Sequence, residues 1–236
     1  MKLKPAIKYH LSDTIKPVAI FYGIVILLFI IFAIQIILSP ATNSSMSGID
    51  MATTIFLFVA GLNSYKTPLR LFVQNGLSRK TLVVSAALAS LALTAFMTAA
   101  DNLLSLAANL VAPYTILFDQ FFEGWGSPVA SFFTGFLWTF SRHLMAYMAG
   151  FFISALYYRM SRWLKIAVSV GVPSLLTLLQ LLPIETGAAR LMGTVIRWII
   201  DTARNPYAGA GLSLAVATVL WGLSWALSRR VPVRAS

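Results

Sequence analysis

Six apolar stretches, each bounded by charged or turn-forming residues, divide the chain. The first, residues 18–38, carries no charged residue and is stopped by Pro40. A spanning helix needs about 20 mainly apolar residues, so this run is long enough to cross a bilayer. It is too long for the core of a cleavable signal peptide, about 7–15 residues, and with Lys2, Lys4, Lys8 and Lys16 ahead of it reads as a retained first helix. The second stretch, residues 51–62, returns to water at Lys66 and Arg70, where the Lys66 stem lets its ammonium snorkel to the interface. The third runs from about residue 81 past residue 100 and carries Asp101 near its far end, and the fourth, residues 129–158, encloses Arg142 and His143. The fifth, residues 166–182, contains Pro173, which removes a backbone donor and kinks a helix. The sixth covers residues 208–227. The pattern predicts an all-α integral membrane protein with six transmembrane helices, a single domain over residues 1–236 with no appended soluble domain.

Composition narrows the class further. The chain is 58% hydrophobic and 11% charged, with a mean hydropathy of +0.81, far from the balance of a soluble domain. A net charge of +11 would suit nucleic acid if it covered one surface, but the basic residues sit in short clusters between apolar runs. No nucleic-acid partner is expected, and the charge instead sets orientation, because short cytoplasmic loops retain Lys and Arg. With the amino terminus inside, the inner set is Lys2, Lys4, Lys8, Lys16, Lys66, Arg70, Arg79, Lys80, Arg159, Arg162, Lys165, Arg229, Arg230 and Arg234. Only Arg190, Arg197 and Arg204 fall outside, and residues 39–50 and 102–141 contain no Lys or Arg. Both termini are therefore expected in the cytoplasm.

The outer exception has its own periodicity. At about 100° per residue, Arg190, Arg197, Asp201 and Arg204 share one sector of a helix over residues 187–204, while Leu191, Met192, Val195, Trp198 and Ile199 turn elsewhere. Arg197 and Asp201, spaced i,i+4, are placed to form a weak ion pair. The segment reads as an amphipathic helix in the outer interface, between spans five and six. Residues 113–128 add Tyr114, Phe118, Phe121, Phe122 and Trp125 beside Asp119 and Glu123, the composition of an interfacial aromatic belt.

Charges inside the spans demand partners, since an isolated one costs several kcal/mol in hydrocarbon. Counting about 1.5 Å per residue from the inner ends, Asp101 and Arg142 lie at depths of roughly 30 and 24 Å. A contact between them is expected, with His143 nearby but turned about 100° around its helix. Such a pair serves either as part of a gate or as a satisfied ion pair joining two helices.

The segment between the second and third spans punctuates itself. Thr67 is a capping residue ahead of Pro68, Asn75 and Gly76 supply a left-handed stop, and Ser78 is placed to cap the third span. Leu69, Phe72 and Val73 form an apolar stripe while Arg70 and Gln74 point away, so a short helix presenting a face to a partner is expected here. Asn75-Gly76-Leu77-Ser78-Arg79-Lys80 is similar to a Gly-x-Ser-Arg-Lys element common in permease subunits of ATP-binding cassette transporters of the type-2 exporter family. The whole chain resembles such permeases in architecture: six spans, inside termini, a coupling helix between spans two and three, and outer helices between spans five and six.

The resemblance implies that Thr67, Pro68, Leu69, Arg70, Phe72, Val73, Gln74, Asn75, Gly76, Ser78 and Arg79 contact a separate ATPase subunit. It also implies a second permease, identical or related, a multi-pass location in a bacterial cytoplasmic membrane, and export of a lipid, peptide or amphipathic small molecule. No Gly-x-x-x-x-Gly-Lys-Ser/Thr loop is present, so ATP and Mg are expected in the partner and no cofactor in this chain. A substrate-binding subunit of an energy-coupling importer also has six spans, but the first helix lacks the Ala-x-x-x-Ala of that class. A non-transporting immunity or scaffold protein fits the same composition. An enzyme would need clustered acids or a nucleophile with its base, whereas the seven acids are scattered and cysteine is absent, which excludes thiolate ligands and disulfides.

Overall fold

Long helices cover the apolar stretches and run beyond them: Lys8 and Lys16 lie inside the first and Lys66 and Arg70 inside the second, while Gly76 and Ser78 mark a helix end and a helix start. The computed structural model describes residues 3–38, 47–110, 114–181 and 187–229. Among them are eight α-helices and no strand: α1 (Leu3–Leu38), α2 (Ile49–Gln74), α3 (Arg79–Asn109), α4 (Leu117–Phe121), α5 (Pro128–Arg159), α6 (Arg162–Leu181), α7 (Gly187–Ala203) and α8 (Pro206–Ser228). Three of them, α1, α3 and α8, are long and apolar enough to cross a bilayer, which marks the chain as a membrane protein. The other long helices are α2, α5 and α6.

Side chains that share a layer give the helix directions. At one end, Ala6 of α1 and Leu82 and Val83 of α3, all early in their helices, pack with Tyr65, Phe72, Phe151 and Tyr158 from the late turns of α2 and α5. Ser228, at the end of α8, joins this layer through a 3.1 Å hydrogen bond to the Tyr65 hydroxyl. A middle layer brings together Val18, Leu57, Leu93, Leu144 and Ala217. Thus α1 and α3 leave the first layer, and α2, α5 and α8 arrive at it. The outer faces stay apolar, with Ile20, Ile24, Leu27 and Ile31 of α1 exposed. Such a face suits hydrocarbon and would aggregate in water.

At the centre, α2 and α5 cross with their backbones nearly touching. A Cβ placed at Gly61 would collide with the Tyr147 carbonyl, and one placed at Gly150 would collide with the Phe58 carbonyl. Small residues at a crossing let two helices gain dispersion and polar contacts where lipid removes any hydrophobic drive for association. Tyr147 uses the closeness to donate from its hydroxyl to Ser64 Oγ at 2.8 Å.

The separate helix expected to start at Pro68 does not form: α2 runs without interruption through Pro68 to Gln74. Proline in a helix interior forfeits one backbone bond, but Pro68, Leu69 and Phe72 are buried, and the latter two are anchored in the first layer. Tertiary packing holds the helix past its breaker. The expected stop is present. Gly76 takes φ +68°, its N–H donates to the Val73 carbonyl at 3.0 Å, and the Leu77 N–H donates to the Phe72 carbonyl at 2.8 Å. These two bonds make a Schellman close, with Leu77 packed back on the first layer.

Ser78 then caps α3, accepting from the Thr81 N–H at 3.2 Å. Ser78→Ala is expected to cost about 1 kcal/mol, read as a lower thermal midpoint in detergent, while Ser78→Asn keeps most of the stability.

The amphipathic segment forms α7 and leaves Leu191, Val195, Trp198 and Ile199 exposed. Its expected Arg197 to Asp201 pair does not form. Arg204 takes Asp201 at 3.5 Å, one residue closer in sequence, and Arg197 Nε donates to the Gly193 carbonyl at 3.3 Å. Both charges are exposed, so little energy separates the alternatives. The Arg190 side chain lies outside the described residues.

Candidate functional site: a buried polar cluster and a basic end

The third layer of the bundle is polar. It gathers Tyr22 from α1, Asp50 and Thr53 from the first turns of α2, Thr98 and Asp101 from α3, and Arg142 and His143 from α5. Helical spacing places them: Ser90, Thr94, Thr98, Asp101 and Ser105 recur every three or four residues on α3, and all are buried. Such a stripe of hydroxyls beside a carboxylate supplies the donors that a dry interior otherwise lacks.

Asp101 does not meet Arg142 in an ion pair as expected. Its Oδ1 instead accepts from the Tyr22 hydroxyl at 2.9 Å and the Thr53 hydroxyl at 3.0 Å, while Oδ2 faces His143 Nε2 at 3.9 Å. Arg142 turns to Asp50, its guanidinium 3.4 Å from Oδ2. That oxygen also accepts from the Leu117 N–H at 3.0 Å. The guanidinium lies over the Trp138 ring, 4.6 Å from its centroid, gaining a cation–π contact along with the ion pair. Depth counting treated only residues inside the apolar runs, so Asp50, placed at a loop boundary, was missed as the nearer acid. The signal was its i,i+3 spacing to Thr53 on the same helix face.

His143 is fully buried and ties three helices. Its Nε2 lies 3.2 Å from the Asp50 carbonyl and its Nδ1 2.9 Å from the Thr98 hydroxyl. A carbonyl only accepts, so Nε2 carries hydrogen and, in the neutral ring, Nδ1 accepts from Thr98. His143 thus sits beside Asp101 after all, its ring reaching back across the helix face.

The segment around Tyr114 and α4 closes over this layer. The Tyr114 hydroxyl accepts from the Ile49 N–H at 3.1 Å, and the Tyr114 N–H donates to Asn109 Oδ1 at 2.9 Å. Burial pushes the Tyr114 hydroxyl above its ordinary range, which keeps the phenol neutral. Burial, with the charge of Asp50 as a smaller contribution, also raises the Asp119 carboxyl. Phe118, Phe122 and Trp138 pack edge-on and tilted beneath. Among the described residues, no three His, Asp or Glu side chains meet closely enough to hold a metal ion. The arrangement is a clamp: two carboxylates, each held by donors from other elements, tie α1, α2, α3, α5 and the α4 turn together.

The opposite end is basic. Lys66, Arg70 and Lys165 line one pocket of about 260 Å³, and Arg79, Lys80 and Arg229 line another of about 320 Å³. The last carbonyls of α8 are satisfied there, with Arg79 donating to the Arg229 carbonyl and Arg159 to the Leu227 carbonyl, each at 3.4 Å. Of the residues expected to touch a partner, Pro68, Leu69 and Phe72 are buried in the bundle, and Arg70, Val73 and Arg79 are half-buried. Thr67, Gln74, Asn75, Gly76 and Ser78 are exposed, together with Lys66 and Lys80. The apolar stripe therefore faces this chain's own core, and the polar edge and its turn face outward. Compared with protein-family models, curated proteins and solved structures, the chain has no match.

Proposed function

We propose that this chain is the membrane-spanning subunit of an ATP-driven exporter of the type-2 ATP-binding cassette kind, working with a separate ATPase and a second permease, identical or related. In this reading α1, α2, α3, α5, α6 and α8 cross a bacterial cytoplasmic membrane, both termini lie in the cytoplasm, and α7 lies in the outer interface. ATP and Mg belong to the partner, and the cargo is a lipid, hydrophobic peptide or amphipathic small molecule.

The observation that carries the reading is the gathering of basic residues from four parts of the chain, around Lys66, Arg79, Lys165 and Arg229, at the end where the α2 to α3 turn projects. Positive charge concentrated at one end of a bundle is what cytoplasmic retention of Lys and Arg produces. The rigid continuity of α2 supports a mechanical role. A push on the exposed Gln74 to Ser78 turn travels along one unbroken helix to Asp50 in the polar layer, because Pro68 leaves no joint between them.

The chain has no cysteine, so single introduced cysteines report their side of the membrane without background. Asn75→Cys and Ser236→Cys are both expected to react from the cytoplasmic side alone, and labelling from opposite sides overturns the topology. Lys66→Glu with Lys80→Glu is expected to weaken retention of the ATPase at least about tenfold, roughly 1.4 kcal/mol, without removing the protein from the membrane. Unchanged retention rejects the coupling surface, and absence of ATP-dependent substrate movement in vesicles leaves a scaffold.

A further inference from the structure

Between α1 and α3 runs an open groove of about 740 Å³, lined by Leu11, Ile15, Val18, Tyr22, Phe96 and Leu103 among others. Its lining includes two hydroxyls, and both are engaged elsewhere. Thr14 Oγ1 donates to the His10 carbonyl at 2.7 Å, and the Tyr22 hydroxyl lies 2.9 Å from Asp101 and 3.0 Å from the Met97 carbonyl. A polar ligand would find no free partner in the groove and would lose its hydration, so the occupant is apolar.

Charge at one end says which apolar occupant. Lys4, Lys8, Leu11, Ile15, Val18 and Tyr22 follow one another at four- and three-residue steps along a single stripe of α1, and both lysines are exposed. Around the helix Asp13 lies about 180° and Lys16 about 120° from the middle of that stripe. An ammonium one turn before the groove's mouth sits where a phosphate rests when its acyl chain lies along the helix. From Leu11 to Ile26 the groove covers about 22 Å, ample for the roughly 15 Å that is half the hydrocarbon core.

We propose that the α1 to α3 groove binds one acyl chain of an anionic phospholipid whose phosphate rests on Lys4 and Lys8. A chain of that length starting at Leu11 ends against the Tyr22 ring. The lipid thus touches the residue that ties α1 to Asp101, and its occupancy bears on how firmly α1 is held to the polar layer. This inference stands independently of the exporter reading.

The test places the photoreactive p-benzoyl-phenylalanine at position 96, where Phe96 is 59% exposed to the groove side. The protein is held in nanodiscs of equal parts phosphatidylglycerol and phosphatidylcholine with matched chains, irradiated, and its adducts weighed by mass spectrometry. Phosphatidylglycerol adducts are expected to exceed phosphatidylcholine adducts at least about fivefold, the factor that one basic residue at a lipid surface supplies. Lys4→Gln with Lys8→Gln is expected to bring the ratio close to one, while Lys16→Gln leaves it unchanged. Equal adducts in the unaltered chain overturn the proposal, as does a preference that survives the double substitution. Cross-linking to a second copy of the chain in place of lipid also overturns it and assigns the groove to a permease interface.

Discussion

Gly61→Ala is expected to destabilise the protein by an amount at or above the upper end of the about 1–3 kcal/mol typical of overpacking, and Gly150→Ala by a similar amount. The added methyl at Gly61 meets the Tyr147 carbonyl and, at 3.0 Å, the Phe151 nitrogen. At Gly150 it meets the Phe58 carbonyl and, at 2.9 Å, the Leu62 nitrogen. On both sides the obstacle is backbone, so no rotamer change relieves it and the helices must separate. Separation loosens Leu57, Tyr65, Tyr147 and Phe151 together, since all pack around this crossing, and breaks the Tyr147 to Ser64 bond. Gly23→Ala and Gly222→Ala provide the contrast. Nothing lies within 4 Å of a Cβ at either position, and alanine there gains up to about 1 kcal/mol of helix propensity. Thermal midpoints in detergent separate the two pairs. A Gly61→Ala midpoint equal to that of Gly23→Ala would mean that α2 and α5 leave room for a methyl between Gly61 and the Tyr147 carbonyl.

Arg142→Met is expected to cost about 3–5 kcal/mol, because it leaves the Asp50 carboxylate, 5% exposed, without its cation. The Leu117 N–H remains on the same oxygen, but one neutral donor does not replace a charge. Arg142→Met with Asp50→Asn removes the uncompensated charge and is expected to recover most of the loss, since an apolar or neutral replacement of a buried pair is often close to neutral. Arg142→Lys falls between, as it keeps the charge while losing the planar contact over Trp138. A double-substitution cycle on thermal stability reads the coupling directly. Additive losses would mean that Asp50 is held by the α4 turn and not by Arg142.

Local signals and tertiary packing compete over the turn between α2 and α3. Residues 67–80 contain a cap, a proline, an Asn-Gly stop and a second cap, and local chemistry correctly set the Gly76 turn and the Ser78 cap. The same local chemistry placed a helix start at Pro68 that is absent, because burial of Leu69 and Phe72 outweighs one lost backbone bond. The ion pairs behaved similarly. Depth counting put Asp101 and Arg142 at comparable heights, and both do reach the polar layer, but height leaves open which of two acids a guanidinium takes. In α7 the sector shared by Arg197, Asp201 and Arg204 was readable, while the partner chosen within it was not.

By itself the sequence determined that the chain is helical and lives in a bilayer, that α2 closes at Gly76, and that Ser78 caps α3. Those properties follow from hydropathy, capping and backbone sterics, all of which act within a few residues. Only the tertiary structure decided that α2 stays whole through Pro68, that Gly61 and Gly150 let two backbones touch, and that Asp50 and not Asp101 holds Arg142. Each of these is a competition between groups far apart in the chain, and its outcome depends on distances that no local pattern encodes.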